Sequence, residues 1–138
     1  LIDKEQIAIM IKDIERYLSD LEGLAISSKQ DLEEKEKYYA VSMLVFSILN
    51  RTIDIGNEII GGSNISLPGS YKDTFEALFE NKVISSATFN QMVWLMKYRN
   101  IIAHEYYRLS TEEIYSLKKR ISNVIGFISE IKKFIQKR

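Results

Sequence analysis

Apolar residues recur at three- and four-residue steps along nearly the whole chain, the period of an amphipathic α-helix and not the alternation of a strand. Ile7, Met10, Ile11, Ile14, Tyr17, Leu18 and Leu21 fall on one face of a first helix that ends near Gly23. Ser28 with Asp31 makes an N-terminal cap for a longer second helix. Leu44, Val45, Ile48, Leu49, Ile55 and Ile59 carry its apolar pattern until Gly61 and Gly62 stop it. The stretch GGSNISLPGS collects most of the turn-forming residues, including the only proline, Pro68, and reads as the one substantial loop. A short helix is expected from about Tyr71 to Glu80. Ser85 or Ser86 can cap a helix running through FNQMVWLMKYRNIIAH, and STEE at 110–113 is a capping box that opens a last helix to about Gln136. No strand, repeat or low-complexity tract interrupts this series. The expected fold is all-α: four long helices and one short helix packed as an antiparallel bundle.

Composition narrows the picture further. A chain of 138 residues with 46% hydrophobic content buries one sizeable core and shows no compositional break, so a single helical domain over 1–138 is expected. Nineteen basic residues balance nineteen acidic ones, which confines any attraction to nucleic acid or anionic lipid to a local patch. With no cysteine there is no disulfide frame, thiolate metal site or cysteine nucleophile. No apolar run approaches the ~18 residues needed to cross a bilayer, and the opening LIDKEQIAIM lacks the form of a signal peptide. A soluble, cytoplasmic protein without membrane partners is expected.

Candidate chemistry gathers in YRNIIAHEYYR, residues 98–108, which holds the only histidine. On a straight helix His104 is turned by about 140° from Arg99, whereas Tyr106 lies nearly above Arg99. Either the helix loosens between Ala103 and Tyr107, or a working site combines these groups across two copies of the chain. Asn100, four residues before His104, can reach the imidazole and orient it. A plainer reading makes His104 a helix-end cap and Arg99 a surface charge paired with Glu105 or another glutamate. On these residues alone that reading carries more weight. A polar stripe of Asn50, Arg51, Asp54, Asn57 and Glu58 runs along the second helix, and Asp54 or Asn57 could hold Arg99. It is at least as compatible with a solvated face. Lys97, Arg108 and the tail IKKFIQKR could bind phosphates, and Tyr98, Tyr106 and Tyr107 could stack bases. Each also suits ordinary surface or packing. One histidine with scattered carboxylates forms no ligand cluster, so no metal site and no cofactor are expected, and GGSNISLPGS lacks the lysine of a phosphate loop.

Arg99, four residues, His104, one residue, Tyr106 matches the R-x4-H-x-Y pattern, and the chain resembles the HepT-like branch of the HEPN ribonucleases. IDIGNEII at 53–60 and SLPGSYKDTFEALFE extend the resemblance over essentially the whole chain, with an acidic residue at Asp54. An arginine and a tyrosine at these offsets from one histidine arise by chance roughly once in 400 for a motif fixed beforehand. The resemblance implies a type II toxin: a metal-independent endoribonuclease acting as a homodimer with a composite site. Arg99 and His104 are then catalytic, supported by Asn100 and Asp54. It further implies an MntA-like nucleotidyltransferase antitoxin that transfers AMP from ATP to Tyr106.

That chemistry suits these residue types. Metal-free RNA cleavage needs a base for the 2′-hydroxyl proton, an acid for the leaving oxygen and a cation for the charge on the phosphorane. Two chains sharing one cleft would supply the second imidazole that a single histidine lacks. The competing function is a non-catalytic helical module that only holds a nucleotidyltransferase, with Arg99 and His104 structural.

Overall fold

The computed structural model describes residues 1–65, 68–105 and 108–138. Tyr106 and Tyr107 therefore lie outside the described residues. Among those residues every regular element is helical: α1 Lys4–Gly23, α2 Lys35–Gly62, α3 Tyr71–Glu80, α4 Ser86–Glu105, α5 Thr111–Arg120 and α6 Val124–Gln136. These helices, with α6 following α5 through a single 3-10 turn, pack as an all-α antiparallel bundle. α2 is its axis, packed against α1, α3, α4 and α5.

Side-chain caps set the helix starts. Asp3 accepts from the Gln6 amide at 3.0 Å, Ser70 from Asp73 at 3.2 Å, Ser85 from Thr88 at 3.2 Å and Ser110 from Glu113 at 3.0 Å. Each bond satisfies an amide that the first helical turn would otherwise leave unpaired. Of the two serines able to open α4, Ser85 is the one that does so. Glu130 of α6 reinforces this start by accepting from the Thr88 hydroxyl and the Ser85 amide.

Two elements differ from the pattern reading. Ser28 and Asp31 form a capping box, but on a 3-10 turn over Lys29–Glu33, and α2 begins only after Glu34, which is extended. Tertiary contacts impose this break. Leu32 is 1% exposed, and the Tyr115 hydroxyl and Lys118 Nζ donate to the carbonyls of Ser27 and Ile26 at 3.0 and 2.9 Å. The expected last helix is also interrupted, by a 3-10 turn at Ile121–Asn123 between α5 and α6. Its buried residues Ile114, Leu117, Ile121, Val124, Phe127, Ile128 and Ile131 would spread over about 140° around the axis of one regular α-helix. One tighter turn keeps all of them on the core face.

The core runs through all six helices and includes Ile14, Ile48, Leu49, Phe75, Met92 and Phe127 among its fully buried side chains. Gly56 lets α3 sit close to α2. A Cβ there would come within 2.9 Å of Thr74 Cγ2 and 3.3 Å of Leu78 Cδ1. This close approach brings Tyr71, at the start of α3, toward the middle of α2.

Tyr38 of α2 anchors the far end of the motif region by donating its hydroxyl to the Leu109 carbonyl at 2.5 Å. Burial, then the neighbouring Tyr39 and Glu113, push its phenol above the ordinary tyrosine range. The folded state thus favours the neutral phenol. The resulting stability is complete below pH about 10 and is lost as pH rises through the folded value. Urea denaturation at pH 8 and pH 11 should show a steeper alkaline loss in wild type than in Tyr38→Phe. At pH 8 the variant should be weaker by about 1 kcal/mol. Equal alkaline slopes would remove Tyr38 as the responsible group.

Candidate functional site

α4 carries buried Thr88, Met92, Leu95, Met96 and Ile102, and Arg99 falls within that same face, three residues after Met96 and three before Ile102. A charge at an apolar register position must find partners or remain poorly solvated. α2, α3 and the next residue of α4 supply them. Arg99 Nε donates to Asn50 Oδ1 at 2.9 Å, and its Nη1 donates to Asn100 Oδ1 at 3.0 Å. Its guanidinium carbon lies 4.8 Å from the centre of the Tyr71 ring and 5.3 Å from that of Phe46. Arg99 is thereby held half-buried in one orientation, facing a cleft of about 510 Å³ lined by Tyr17, Asn50, Arg51, Asp54, Tyr71 and Arg99 among others.

Asp54 lies in this cleft but pairs with Arg51 and not with Arg99. Its Oδ2 accepts from Arg51 Nη1 at 2.9 Å, while Arg51 Nε reaches Asp13 of α1 at 3.1 Å. Asn57 accepts from the Thr74 hydroxyl at 3.3 Å. The second helix does hold Arg99, then, through Asn50 and not through Asp54 or Asn57. Asn100 likewise gives its side-chain oxygen to Arg99, not to His104. The pairing of Arg99 with Glu105 is also absent, because Glu105 takes Arg108 at 3.0 Å.

His104 is exposed in the last turn of α4, which stays α-helical through Glu105. Five residues of regular helix separate it from Arg99 by about 7.5 Å along the axis and about 140° around it. No loosening before Glu105 brings the two onto one face, so one chain presents them in different directions. Lys97 lies over Trp94 and Tyr98, with Nζ 5.6 and 5.9 Å from the ring centres. Tyr98 packs half-buried against Trp94. Among the described residues no three His, Asp or Glu side chains converge as a metal site would require.

Asn50, Phe46 and Tyr71 are the partners that sequence reasoning did not single out for Arg99. The available signal was the register of α4: an arginine where Met92, Met96 and Ile102 mark the inward face has to be met by a neighbouring helix.

Over 92 residues the chain is 26% identical to the Bacillus subtilis (strain 168) protein YutE, whose name gives RNase as a provisional assignment. The match covers 67% of this chain and 64% of YutE, so it spans less than two thirds of that relative. The solved structure of YutE, described as a cytosolic protein of unknown function, superposes with a TM-score of 0.86 at 21% identity, covering 99% of this chain and 92% of that one. A tri-AMPylated Shewanella oneidensis HEPN toxin in complex with its MNT antitoxin gives 0.87 at 21% identity, covering 95% and 99%. A toxin-antitoxin complex with AMP-PNP gives 0.87 at 21% identity, covering 94% and 99%. These structures share the fold. The sequence model of one family matches residues 11–137, nearly the whole chain, and by that match the protein belongs to the Ribonuclease HepT-like family.

Proposed function

We propose that this protein is a metal-independent RNA endonuclease, the toxin of a toxin-antitoxin pair, working in the cytoplasm as a homodimer of a single-domain chain. The observation that carries the reading is the placement of Arg99, a guanidinium oriented by Asn50, Asn100 and two aromatic rings at the wall of a polar cleft. His104 lies on the same helix but faces elsewhere, so a second copy is needed to bring an imidazole to an arginine.

In this mechanism one imidazole takes the proton of a ribose 2′-hydroxyl, and the freed oxygen attacks the adjacent phosphorus. The bond from phosphorus to the 5′-oxygen breaks, a second imidazole protonates that oxygen, and Arg99 stabilises the added charge on the phosphorane. The products are a 2′,3′-cyclic phosphate and a 5′-hydroxyl. Family membership supports the reaction class, and among the described residues no helix is long and apolar enough to cross a membrane. A similar HEPN toxin is tri-AMPylated in complex with its antitoxin, and Tyr106, the tyrosine of the R-x4-H-x-Y pattern, is the residue that would take the AMP here. Phosphates attached there would occupy the position meant for RNA and pair with Arg99, silencing the site without a change of fold.

The purified protein, free of any partner, should cleave single-stranded RNA in EDTA. Heterodimers of wild-type with Arg99→Ala chains keep both imidazoles and one arginine and should retain part of the activity, whereas heterodimers of wild-type with His104→Ala chains, left with one imidazole, should lose nearly all of it. A monomeric mass at concentrations where RNA is still cut would refute the shared cleft. Incubation with the cognate nucleotidyltransferase and ATP should add AMP mass to the peptide carrying Tyr106 and stop cleavage, and Tyr106→Phe should escape both. No cleavage under any of these conditions would leave the non-catalytic partner-holding module as the function.

A further inference from the structure

We propose that Asn50 is a positioning residue that fixes the Arg99 guanidinium without cancelling its charge, so that Arg99 and not Arg51 is the cation this cleft offers to an RNA phosphate. This rests on the ribonuclease reading and names how its phosphate subsite is built.

Two arginines line the same cleft, and their surroundings differ in kind. Arg51 Nε and Nη1 reach two carboxylates, Asp13 at 3.1 Å and Asp54 at 2.9 Å. Its charge is already balanced, and an incoming phosphate would have to compete with both acids. Arg99 is also held on several sides, but among the described residues the groups that hold it are uncharged: Asn50 at 2.9 Å, Asn100 at 3.0 Å and the faces of Phe46 and Tyr71. The two amide oxygens engage two of the five guanidinium N–H donors, leaving the others for an anion. Rigid orientation with an uncompensated charge is what electrostatic stabilisation of a phosphorane demands, because no reorganisation is needed when the charge develops. α2 thus presents Asn50 and Arg51 in consecutive positions, the first serving α4 and the second serving α1.

The chemistry singles out one discriminating substitution. Asn50→Asp keeps the size and the acceptor oxygen but adds a carboxylate, whereas Asn50→Ala removes the hydrogen bond and leaves the charge of Arg99 intact. A merely structural Asn50 predicts that the aspartate variant outperforms the alanine variant. The positioning role predicts the reverse.

The test measures binding of a fluorescein-labelled single-stranded oligoribonucleotide by anisotropy, across a KCl series, in a His104→Ala background. Asn50→Asp should bind about tenfold more weakly than its parent, with the slope of log affinity against log salt shallower by about 0.7, the loss of one phosphate contact. Asn50→Ala should weaken binding less than Asn50→Asp, and cleavage rates with His104 present should follow the same order. Asn100→Asp against Asn100→Ala repeats the comparison from an exposed position that folding tolerates. An aspartate variant that binds as well as its alanine counterpart, or a parent that does not bind the probe, overturns the proposal. A wild type that binds but does not cleave would instead defeat the ribonuclease reading, and the order of binding would still decide the role of Asn50.

Discussion

Arg99→Lys and His104→Ala are each expected to slow RNA cleavage by about a hundredfold or more while leaving the helical content unchanged. For arginine the argument is geometric. A lysine retains the charge, but its single ammonium on a flexible stem cannot reproduce a planar fork held by Asn50 and Asn100 and lying on Tyr71. The cation would remain near the cleft without a defined direction, and stabilisation of the phosphorane depends on direction. For histidine the argument is local. His104 is exposed at the end of α4, so its removal costs little packing and should leave stability within about 0.5 kcal/mol. A large loss of rate with an unchanged melting curve therefore reports proton transfer. Initial rates on a defined oligoribonucleotide, followed by formation of the cyclic phosphate and paired with circular dichroism, check both. Wild-type rates in both variants would end the catalytic assignment.

Phe127→Ala should destabilise the fold by about 3–5 kcal/mol, the largest effect expected for a single core substitution here. Phe127 of α6 and Phe75 of α3 are both fully buried and meet edge to face, with ring centres 5.8 Å apart. Truncation leaves a cavity that the surrounding helices fill only in part, and the aromatic contact is lost as well. The consequence reaches the site, because Tyr71 lies one turn before Phe75 on α3 and covers the Arg99 guanidinium. Loosening α3 withdraws that cover, so cleavage should fall at temperatures where the variant is still folded. Phe127→Leu, which retains most of the volume, should cost less than the alanine variant. Equilibrium unfolding in urea decides the matter, and a loss below about 1 kcal/mol for Phe127→Ala would place Phe127 outside the critical packing.

Much of the helical framework was legible because its signals are local. The serine caps at Ser85 and Ser110, the bounds of α3 at Tyr71 and Glu80 and the stop at Gly62 depend on residues within a turn of one another. The two 3-10 turns were not legible in the same way. The capping box at Ser28 has the same local form as one that opens an α-helix, and only Leu32, Tyr115 and Lys118, acting through the packed bundle, cut that turn short.

Spacing along the chain is enough for the all-helical bundle, the motif of Arg99 and His104, and the angle of about 140° that keeps those two residues apart on one helix. The tertiary structure alone decided which residue of α2 meets Arg99. Asn50, Asp54 and Asn57 lie within about 60° of one another around α2 and differ mainly in height, by about 6 Å from Asn50 to Asp54. Periodicity does not distinguish them. The height at which α4 crosses α2 does, and it is set by how Gly56 admits α3 and how Met92 and Leu95 seat α4 in the core. That crossing gives Asn50 to Arg99 and leaves Asp54 to Arg51, a choice made by packing because Arg99 sits at one height on α4 and a hydrogen bond of about 3 Å reaches one level of the α2 stripe.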